Sequence, residues 1–376
     1  MPNTDTDAAA DSAPQRLIGV EEELLLVDPR TMHPVPVALG ILNDVSNARA
    51  QVMEPEVKQE QIEVVSPPLA TYDEVLESID HGRRSADDAA RRFGARALAL
   101  ATGRFAGDPH PVSTERYDEM QERFGATFDD QLTCGFHVHV TITSREEGVA
   151  VLDRIRPWLP VLLALSANSP FWHGRDTQFA SYRYQAWGRW PSAGPYDLFG
   201  SPDGYDATVA QLMDTGVPLD EGMIYFDARL STHAPTVETR ICDVCLRPED
   251  ATALAVLVRA LVETAARGWR SGFEAPPVPV GVLRAASWRA SRFGLETSLV
   301  HPETGTSTPA VVAVRALLAH VRRAFTSEAE ADRVAMQLRR ILARGNGSRA
   351  QRDTAGGTVR PSDMVTALAA ETFRRQ

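Results

Sequence analysis

Three consecutive glutamates lie inside an otherwise apolar, β-type segment near the start of the chain. Residues 16–27 read RLIGVEEELLLV. Because side chains alternate along a strand, Glu21 and Glu23 project from one face, and Glu22 projects from the other face with the leucines. Carboxylates buried in a sheet cost free energy unless they are paired or bind a metal ion. The segment therefore predicts either a metal-binding sheet face or an exposed acidic face near a strand end.

A second acidic group follows in the segment PEVKQEQIEVVS. Glu63 lies in QIEVV, another apolar β-type run, and Glu56 precedes it by seven residues. An odd separation on one straight strand points two side chains to opposite faces. These two acids can therefore share a face only if a turn or a bulge lies between them. We expect Glu54 and Glu60 to face solvent.

Two histidines share one face of a third predicted strand. Residues 136–143 alternate apolar and polar side chains, which is typical of a half-buried strand, and place His137 beside His139. A His-x-His pair on a strand can bind zinc, as in many metallohydrolases. The alternative is one core histidine and one surface histidine.

A carboxylate and a guanidinium share a face in the later segment VETRICD. Glu238 and Arg240 are two residues apart in this predicted strand. They form either a simple salt bridge or, beside metal ions and phosphates, a metal ligand and an arginine that stabilises developing charge. Cys242 and Cys245 lack a second cysteine pair, and we assign them no role.

Composition excludes several classes of protein. The net charge of −11 argues against a nucleic-acid binder, which would carry a basic face. Lys58 is the only lysine, so there is no P-loop, and a pyridoxal Schiff base would have to form on that residue. The three cysteines indicate no disulfide framework, and no apolar run is long enough to cross a bilayer. We expect a cytoplasmic protein without nucleic-acid or membrane partners.

The pattern along the chain predicts an α+β fold. We expect a disordered tail over residues 1–15 and a single domain over 16–376 with a mostly helical C-terminal part. The Gly-, Pro- and aromatic-rich residues 168–205 are either a functional loop or an Ω-loop packed on its own aromatics. Helices are predicted at 71–99, at 144–166 with a break at Pro157 and Pro160, and at 248–268. Strands are predicted near 222–228 and 235–244. The Gly/Arg-rich stretch 344–357 is predicted to be irregular.

The combined set of carboxylates, imidazoles and arginines favours magnesium or manganese over zinc, because hard cations prefer oxygen ligands. Five motifs occur in one order: IGVEEELLLVD, PEVKQEQIEVVS, CGFHVHV, TVETRICDV and RGNGSRAQR. From about Arg16 to the C-terminus, this arrangement resembles the carboxylate–amine ligases of the glutamate–cysteine ligase type 2 group. That group is related to glutamine synthetase in its catalytic domain. The resemblance implies a curved, mainly antiparallel sheet flanked by helices, with the active site in its concavity.

The resemblance also implies roles for individual residues. Arg240 would be the catalytic, phosphate-facing arginine, and His139 would support the metal site. Arg349 and Arg352 would bind the nucleotide, and Arg183 and Arg189 of the aromatic loop would hold an amino-acid carboxylate. The metal ligands would be Glu21, Glu23, Glu56, Glu63, His137 and Glu238.

The implied reaction joins glutamate and cysteine into γ-glutamylcysteine through an acyl phosphate, with release of ADP and phosphate. ATP and Mg²⁺, with Mn²⁺ as the alternative ion, would be the cofactors, and the partners would be amino acids, ATP and a second copy of the chain. Three alternatives stay open: a ligase of the same plan for another carboxylate and amine, a zinc amidohydrolase using His137 and His139, and a regulatory protein that binds metal or nucleotide without turnover.

Overall fold

The computed structural model describes residues 15–45, 53–105, 107, 109–356 and 359–374. The expected disordered tail therefore lies, except for Gln15, outside the described residues. The strands are β1 Ile18–Val27, β2 Met53–Pro55, β3 Gln61–Val65, β4 Arg96–Leu98, β5 Gly135–Thr141, β6 Phe171–Trp172, β7 Arg175–Asp176, β8 Ala228–Leu230, β9 Thr236–Asp243, β10 Ser298–Val300 and β11 Ser307–Pro309.

Helices make up most of the rest of the described chain. None of them combines the length and the apolar character that a membrane span requires. The α-helices are α1 Ala38–Val45, α2 Tyr72–Arg92, α3 Glu115–Phe124, α4 Ala126–Asp129, α5 Arg145–Ile155, α6 Leu159–Ser166, α7 Tyr182–Trp187, α8 Pro202–Asp214, α9 Pro248–Arg270, α10 Val280–Phe293, α11 Ala310–Val321, α12 Glu328–Arg344, α13 Gly347–Ala355 and α14 Pro361–Thr372.

Seven strands form one open sheet whose pairings are all antiparallel. The order is β2-β3-β1-β5-β9-β8, and β4 pairs with the last residues of β1. Helices α2 and α9 pack against β1 and its neighbours, and α6 packs against β9. The predicted α+β class with a mainly antiparallel sheet and flanking helices is confirmed. The single domain over 16–376 stays a prediction.

The two faces of β1 carry different chemistry, as the alternation predicts. Leu24 and Leu26 are fully buried, and Glu22 on the same face is 2% exposed. Glu22 pairs with Arg83 of α2 in a buried ion pair. Glu21 and Glu23 project from the opposite face, which leaves that face free to form a polar site.

Helix α2 begins where the sequence predicts but ends earlier. Thr71 and Glu74 form a reciprocal capping box at its start. The prediction of a helix to residue 99 is wrong, because Gly94 adopts φ 71° and Arg96–Leu98 pairs with β1 as strand β4. The break predicted at Pro157 is confirmed, since a 3₁₀ turn over Arg156–Trp158 separates α5 from α6.

Two loop predictions are also wrong in part. The segment 168–205 contains the β6–β7 hairpin, the short helix α7 and the start of α8. The Gly/Arg-rich stretch 344–357 contains α13, because the Asn346 side chain caps that helix by accepting from the Arg349 amide. The strand predicted near 222–228 forms later, at Ala228–Leu230, after a 3₁₀ turn over Glu221–Met223.

Candidate functional site

One cavity of about 250 Å³ lies on the acidic face of the sheet. It is called the acidic cavity below. Arg240 and Tyr225 also line it. The structure brings together here all six residues expected to bind metal, which are Glu21, Glu23, Glu56, Glu63, His137 and Glu238.

Strand register explains how distant residues meet in this cavity. Glu23 lies directly opposite Glu63 across the β1–β3 pair. Glu21 lies directly opposite His137 across the β1–β5 pair. Directly opposed residues project from the same face of a sheet, so adjacent strands place these side chains side by side.

A hairpin whose loop spans residues 56–60 resolves the odd spacing between Glu56 and Glu63. Strand β2 folds back on β3 with Glu54 opposite Glu63. Glu56, the first loop residue after β2, lines the same cavity as Glu63. Glu54 is exposed, as expected. The expectation for Glu60 is wrong: it is 2% exposed, and His110 donates its backbone N–H to the Glu60 carboxylate at 3.0 Å.

A bulge in β9 keeps Glu238 and Arg240 at the cavity. The register shifts between Phe136 and Val138, so that one residue of β5, His137, faces two residues of β9. Arg240 therefore lies beside His137. Both Glu238 and Arg240 line the cavity, as their spacing predicts.

Two groups of side chains have the geometry of cation ligands. One group is Glu21, His137 and Glu238, and the other is Glu23, Glu63 and His137; in each group the ligand atoms lie within 4.8 Å of one another. His137 Nδ1 is 3.0 Å from Glu21 Oε2, and its Nε2 is 3.7 Å from Glu23 Oε1. Carboxylate oxygens predominate in both groups, so the donor set fits Mg²⁺ or Mn²⁺.

The carboxylates of the acidic cavity fall into two groups with different electrostatic surroundings. Burial opposes ionisation of Glu238, but the guanidinium groups of Arg240 and Arg229 hold its pKa well below the usual range. Burial likewise opposes ionisation of Glu21, and hydrogen bonds with His137 and His139 outweigh it and lower the pKa of Glu21. The protein's own arginines and histidines thus compensate the negative charges of Glu238 and Glu21.

Glu56 and Glu63 lack comparable compensation. Burial, reinforced by the charge of Glu23, raises the pKa of Glu56 to about 8. Burial and the neighbouring carboxylates also raise the pKa of Glu63 well above its ordinary value. Burial and mutual repulsion make the ionised forms of these clustered carboxylates unfavourable. A divalent cation binds favourably in such a cluster, because it replaces the protons and neutralises the carboxylates.

His139 belongs to neither ligand group but lies beside Glu21, a member of the first group. Its Nε2 lies 3.0 Å from Glu21 Oε1, and its Nδ1 lies 3.1 Å from Thr236 Oγ1. Burial would lower the pKa of His139, but the Glu21 carboxylate raises it. Nδ1 is engaged by Thr236, whereas Nε2 faces Glu21 but is buried without a hydrogen bond to the described part of the chain. Because the donor groups found among the described residues include His137 but not His139, this geometry disfavours a zinc site built on both histidines.

Sequence reasoning missed two arginines of the acidic cavity. Arg229 lies opposite Glu238 across the β8–β9 pair, and its Nε donates to Glu238 Oε2 at 2.7 Å. Arg240 donates to the other oxygen of Glu238. Arg116 also lines the cavity and pairs with Asp220 at 2.6 Å. The short strand β8 carried too little periodicity to reveal Arg229, and the helix α3 gave no signal for Arg116.

The other predicted binding arginines do not line the acidic cavity. Arg183 is only 2% exposed, and its guanidinium lies against the main chain of Gly135 and the carbonyl oxygens of Arg240 and Ile241. Arg189 lines a neighbouring cavity. Direct contact of Arg183 with a substrate is therefore not supported by this geometry, because no open surface reaches it.

Arg349 and Arg352 lie on α13 and are held by carboxylates there. Arg349 pairs with Asp353, and Arg352 forms a two-point ion pair with Asp176 and also donates to the carbonyl of Phe179. Neither lines the acidic cavity. Gly347, in the same segment, packs so closely on Asn168 that a Cβ would lie 2.1 Å from its Oδ1. The geometry therefore favours a structural role for this segment over phosphate binding.

Comparison with known proteins adds independent findings on the fold. A glutamate–cysteine ligase from Francisella tularensis, solved in complex with AMP, matches with a TM-score of 0.61 at 12% identity over 96% of this chain and 89% of that chain. A bifunctional glutathione synthetase from Pasteurella multocida matches with a TM-score of 0.66 at 14% identity over 96% of this chain and 53% of that one. The expected glutamine-synthetase-like ligase fold is confirmed.

Sequence comparison identifies the family. A protein of Paenarthrobacter aurescens named "Putative glutamate--cysteine ligase 2-1" is 52% identical over 364 residues, covering 95% of each chain. A Streptomyces avermitilis protein of the same name is 46% identical over 95% of this chain and 99% of its own. The profile described as glutamate-cysteine ligase family 2 matches residues 17–358. The chain therefore belongs to glutamate-cysteine ligase family 2.

Proposed function

We propose that this protein is an ATP-dependent carboxylate–amine ligase that activates the γ-carboxylate of glutamate and joins it to an amine. With cysteine as the amine, as in the name of the family, the product is γ-glutamylcysteine. The observation that carries the proposal is the convergence of five glutamates and one histidine from separate segments on a single cavity. Such an array of oxygen donors fits divalent cations that accompany a nucleotide.

The acidic residues of the cavity would hold the cations. Glu21, His137 and Glu238 form one ligand group, and Glu23 and Glu63 complete the second with His137, while Glu56 adds a carboxylate beside them. When bound, Mg²⁺ supplies positive charge that lets a polyphosphate and a carboxylate approach each other. The chain itself supplies no lysine for this purpose, since Lys58 does not line the cavity.

Arg240 and Arg229 would act on the phosphoryl group. Both are fixed by Glu238, which accepts from one arginine on each oxygen. A guanidinium held in place before the reaction stabilises charge on a transferring phosphoryl group without reorganisation. Arg349 and Arg352 are not needed for this arrangement.

The proposed reaction has two steps. The γ-carboxylate of glutamate attacks the γ-phosphorus of ATP, and ADP leaves with the electrons of the broken P–O bond. The free amine of the second substrate then attacks the acyl carbon, loses a proton, and displaces phosphate. Cytoplasmic localisation and a homo-oligomer remain part of this proposal.

The test is phosphate release in the presence of ATP, Mg²⁺, glutamate and a panel of amines. The ligase proposal expects release that depends on all components. A zinc amidohydrolase would turn over amides without ATP, and a regulatory protein would bind ATP without turnover.

A matched pair of variants locates the activity. Glu56→Gln should abolish phosphate release, because Glu56 lines the acidic cavity. Glu54→Gln removes an exposed carboxylate two residues away and should leave the rate unchanged. Equal effects of the two variants would contradict the assignment of this cavity.

A further inference from the structure

A second cavity of about 340 Å³ lies beside the acidic cavity. We call it the aromatic cavity, and its principal lining residues are Tyr184, Trp187, Arg189, Trp190, Arg284 and Trp288. Three of the six tryptophans in the chain thus line one cavity. Its wall is contributed by the segment 184–195 and by helix α10.

Trp187 is the partition between the two cavities, because it lines both of them. Its ring lies 4.7 Å from the ring of Tyr225, which lines the acidic cavity, and 6.2 Å from the ring of Trp190, which lines the aromatic cavity. A molecule in the aromatic cavity would therefore have one end only an indole ring away from the acidic cavity.

The aromatic cavity has the opposite charge to its neighbour. Among its described lining residues there are two arginines and no acid. Arg189 is partly engaged, with Nη1 3.2 Å from Asp130 Oδ2. Arg284 is exposed and makes no hydrogen bond or ion pair with the part of the chain that the structure describes. The charge of Arg284 acts through space on the buried Asp227 and on Tyr184, but its N–H groups are unengaged by the described residues and can bind an anionic group such as a carboxylate.

An exposed indole accompanies this free guanidinium. Trp288 follows Arg284 by four residues on α10, so both side chains project from the same side of that helix. Trp288 is 47% exposed, which leaves a large apolar surface open to solvent. A cation next to exposed aromatic surface is complementary to a ligand that carries a carboxylate close to an apolar ring.

We infer that the aromatic cavity binds the amine substrate, and that this substrate is an α-amino acid with an aromatic side chain. The carboxylate would pair with Arg284, the ring would pack on Trp288, and the amine would point past Trp187 toward the acidic cavity. This inference rests on the proposed ligase function and narrows its amine. The indole of Trp288, which is 47% exposed, and the partly buried indole of Trp187 offer more apolar surface than the side chain of cysteine can cover.

A binding experiment tests the cavity without turnover. Intrinsic tryptophan fluorescence is titrated with L-phenylalanine and with phenethylamine, which lacks the carboxylate, in the presence of Mg²⁺, ADP and glutamate. We expect a saturable change with L-phenylalanine, weakened about tenfold in Arg284→Gln, because one charge-assisted contact is lost. The control Arg315→Gln, an exposed arginine of α11 outside the cavity, should bind like the wild type.

A kinetic experiment separates this inference from the proposed function. Phosphate release is measured with L-phenylalanine, phenethylamine, cysteine and cysteamine as amines. We expect L-phenylalanine to exceed cysteine in kcat/KM, and Arg284→Gln to raise the KM of L-phenylalanine about tenfold while leaving that of phenethylamine unchanged.

The outcomes test the aromatic amine inference and the ligase proposal separately. Turnover with cysteine, together with no binding or turnover of L-phenylalanine, overturns the inference and leaves the ligase proposal standing. An unchanged affinity for L-phenylalanine in Arg284→Gln also overturns it. Absence of phosphate release with every amine contradicts the ligase proposal, and the fluorescence titration then still decides whether the cavity binds an aromatic amino acid.

Discussion

Glu22 and Arg83 form a buried two-point ion pair on the helix-facing side of the sheet, behind the acidic cavity. Arg83 Nη2 donates to Glu22 Oε1 at 2.6 Å, and Nε donates to Oε2 at 2.8 Å. Arg83 is fully buried and also donates to the carbonyl of Cys245 at 2.6 Å. Adjacent glutamates of β1 thus serve different purposes: Glu22 joins the sheet to α2, while Glu21 and Glu23 face the cavity.

This pair predicts a large stability effect. Arg83→Met leaves the Glu22 carboxylate buried without its partner and should lower the free energy of unfolding by about 3–5 kcal/mol. The double variant Glu22→Met/Arg83→Met should recover part of this loss, because no buried charge remains. Urea denaturation measures both, with unchanged m values as the condition for comparison.

A neighbouring arginine provides the control. Arg84 pairs with Asp80 on the same helix but is partly exposed. Arg84→Met should cost less than Arg83→Met, since the Arg84 guanidinium is partly exposed whereas both partners of the Glu22–Arg83 pair are buried. Equal losses of unfolding free energy in the two variants would show that burial does not increase the contribution of the Glu22–Arg83 pair to stability.

Alternation along single strands predicted which side chains of the site share a strand face. The faces of Glu21, Glu22 and Glu23 follow from period-two geometry, and so does the pairing of Glu238 with Arg240. The resemblance to a known family supplied what alternation could not, namely the assignment of these segments to one site and the grouping of Glu56 with Glu63 despite their odd spacing. The hairpin of β2 and β3 is the structural reason for that grouping.

Tertiary contacts explain what could not be predicted. Glu60 is buried because the backbone N–H of His110, fifty residues away in the chain, donates to it. Arg229 reaches the cavity because the three-residue strand β8 pairs with β9. Helix α2 ends before residue 99 because Arg96–Leu98 pairs with β1. Each outcome depends on a distant segment, which local sequence patterns do not record.

The raised pKa of Glu56 predicts a pH-dependent stability without metal. Its pKa is about 8 in the folded protein against an ordinary value of 4.5, so the folded state binds the proton more tightly. The resulting stabilisation is present below about pH 4.5 and is lost as the pH rises through about 8. In a chelator, wild-type stability should fall more steeply than that of Glu56→Gln between about pH 5 and about pH 8.

Magnesium should remove this difference, because a cation that replaces the proton stabilises the ionised carboxylate. Chemical denaturation at several pH values, with chelator or with saturating Mg²⁺, measures the effect. Glu54→Gln should change the slope much less than Glu56→Gln, since Glu54 is exposed and acts only through its charge on Glu63. Parallel slopes for wild type and Glu56→Gln in chelator would contradict the burial of this acid in a metal-free cavity.

The absence of a side chain at Gly135 predicts a sensitive position next to His137. A Cβ at Gly135 would lie 2.3 Å from Arg183 Nη2 and 3.1 Å from His137 Nε2. The buried guanidinium of Arg183 would have to move, and His137 would move with it. Gly135→Ala should lower kcat/KM roughly 10²-fold, as expected for a misplacement of about 1 Å at a reacting centre.

Gly268→Ala is the matched control for that change. Gly268 lies in α9, and apart from its chain neighbours and the adjacent helix backbone, no atom of the described residues lies within 4 Å of the position of its Cβ. This variant should keep full activity and gain roughly 0.5–1 kcal/mol of stability, because alanine favours the helix. Steady-state rates and urea midpoints of both variants check the prediction. Full activity in Gly135→Ala would show that the contact with Arg183 and His137 is not required.

Arg240 is expected to act mainly on the transition state. Its guanidinium is fixed by Glu238, beside His137. Arg240→Lys keeps the positive charge but loses the planar fork that can bridge two phosphate oxygens. We expect kcat to fall about 10²-fold or more, with a smaller change in the KM of ATP, because the contact strengthens as charge develops. Arg229→Lys, on the other oxygen of Glu238, is the comparison variant.

The competing explanation of Arg240 is a salt bridge that only stabilises the strand. Burial opposes its charge, and the Glu238 carboxylate keeps it protonated and raises its pKa, so a structural contribution is expected as well. Melting temperatures and circular dichroism of Arg240→Lys separate the two effects, with rates expressed per folded molecule. A variant that loses stability but keeps its rate of phosphate release would remove Arg240 from the reaction. A variant that stays folded and loses its rate would place Arg240 at the phosphoryl group, since a purely structural ion pair has no route to change kcat while the fold is intact.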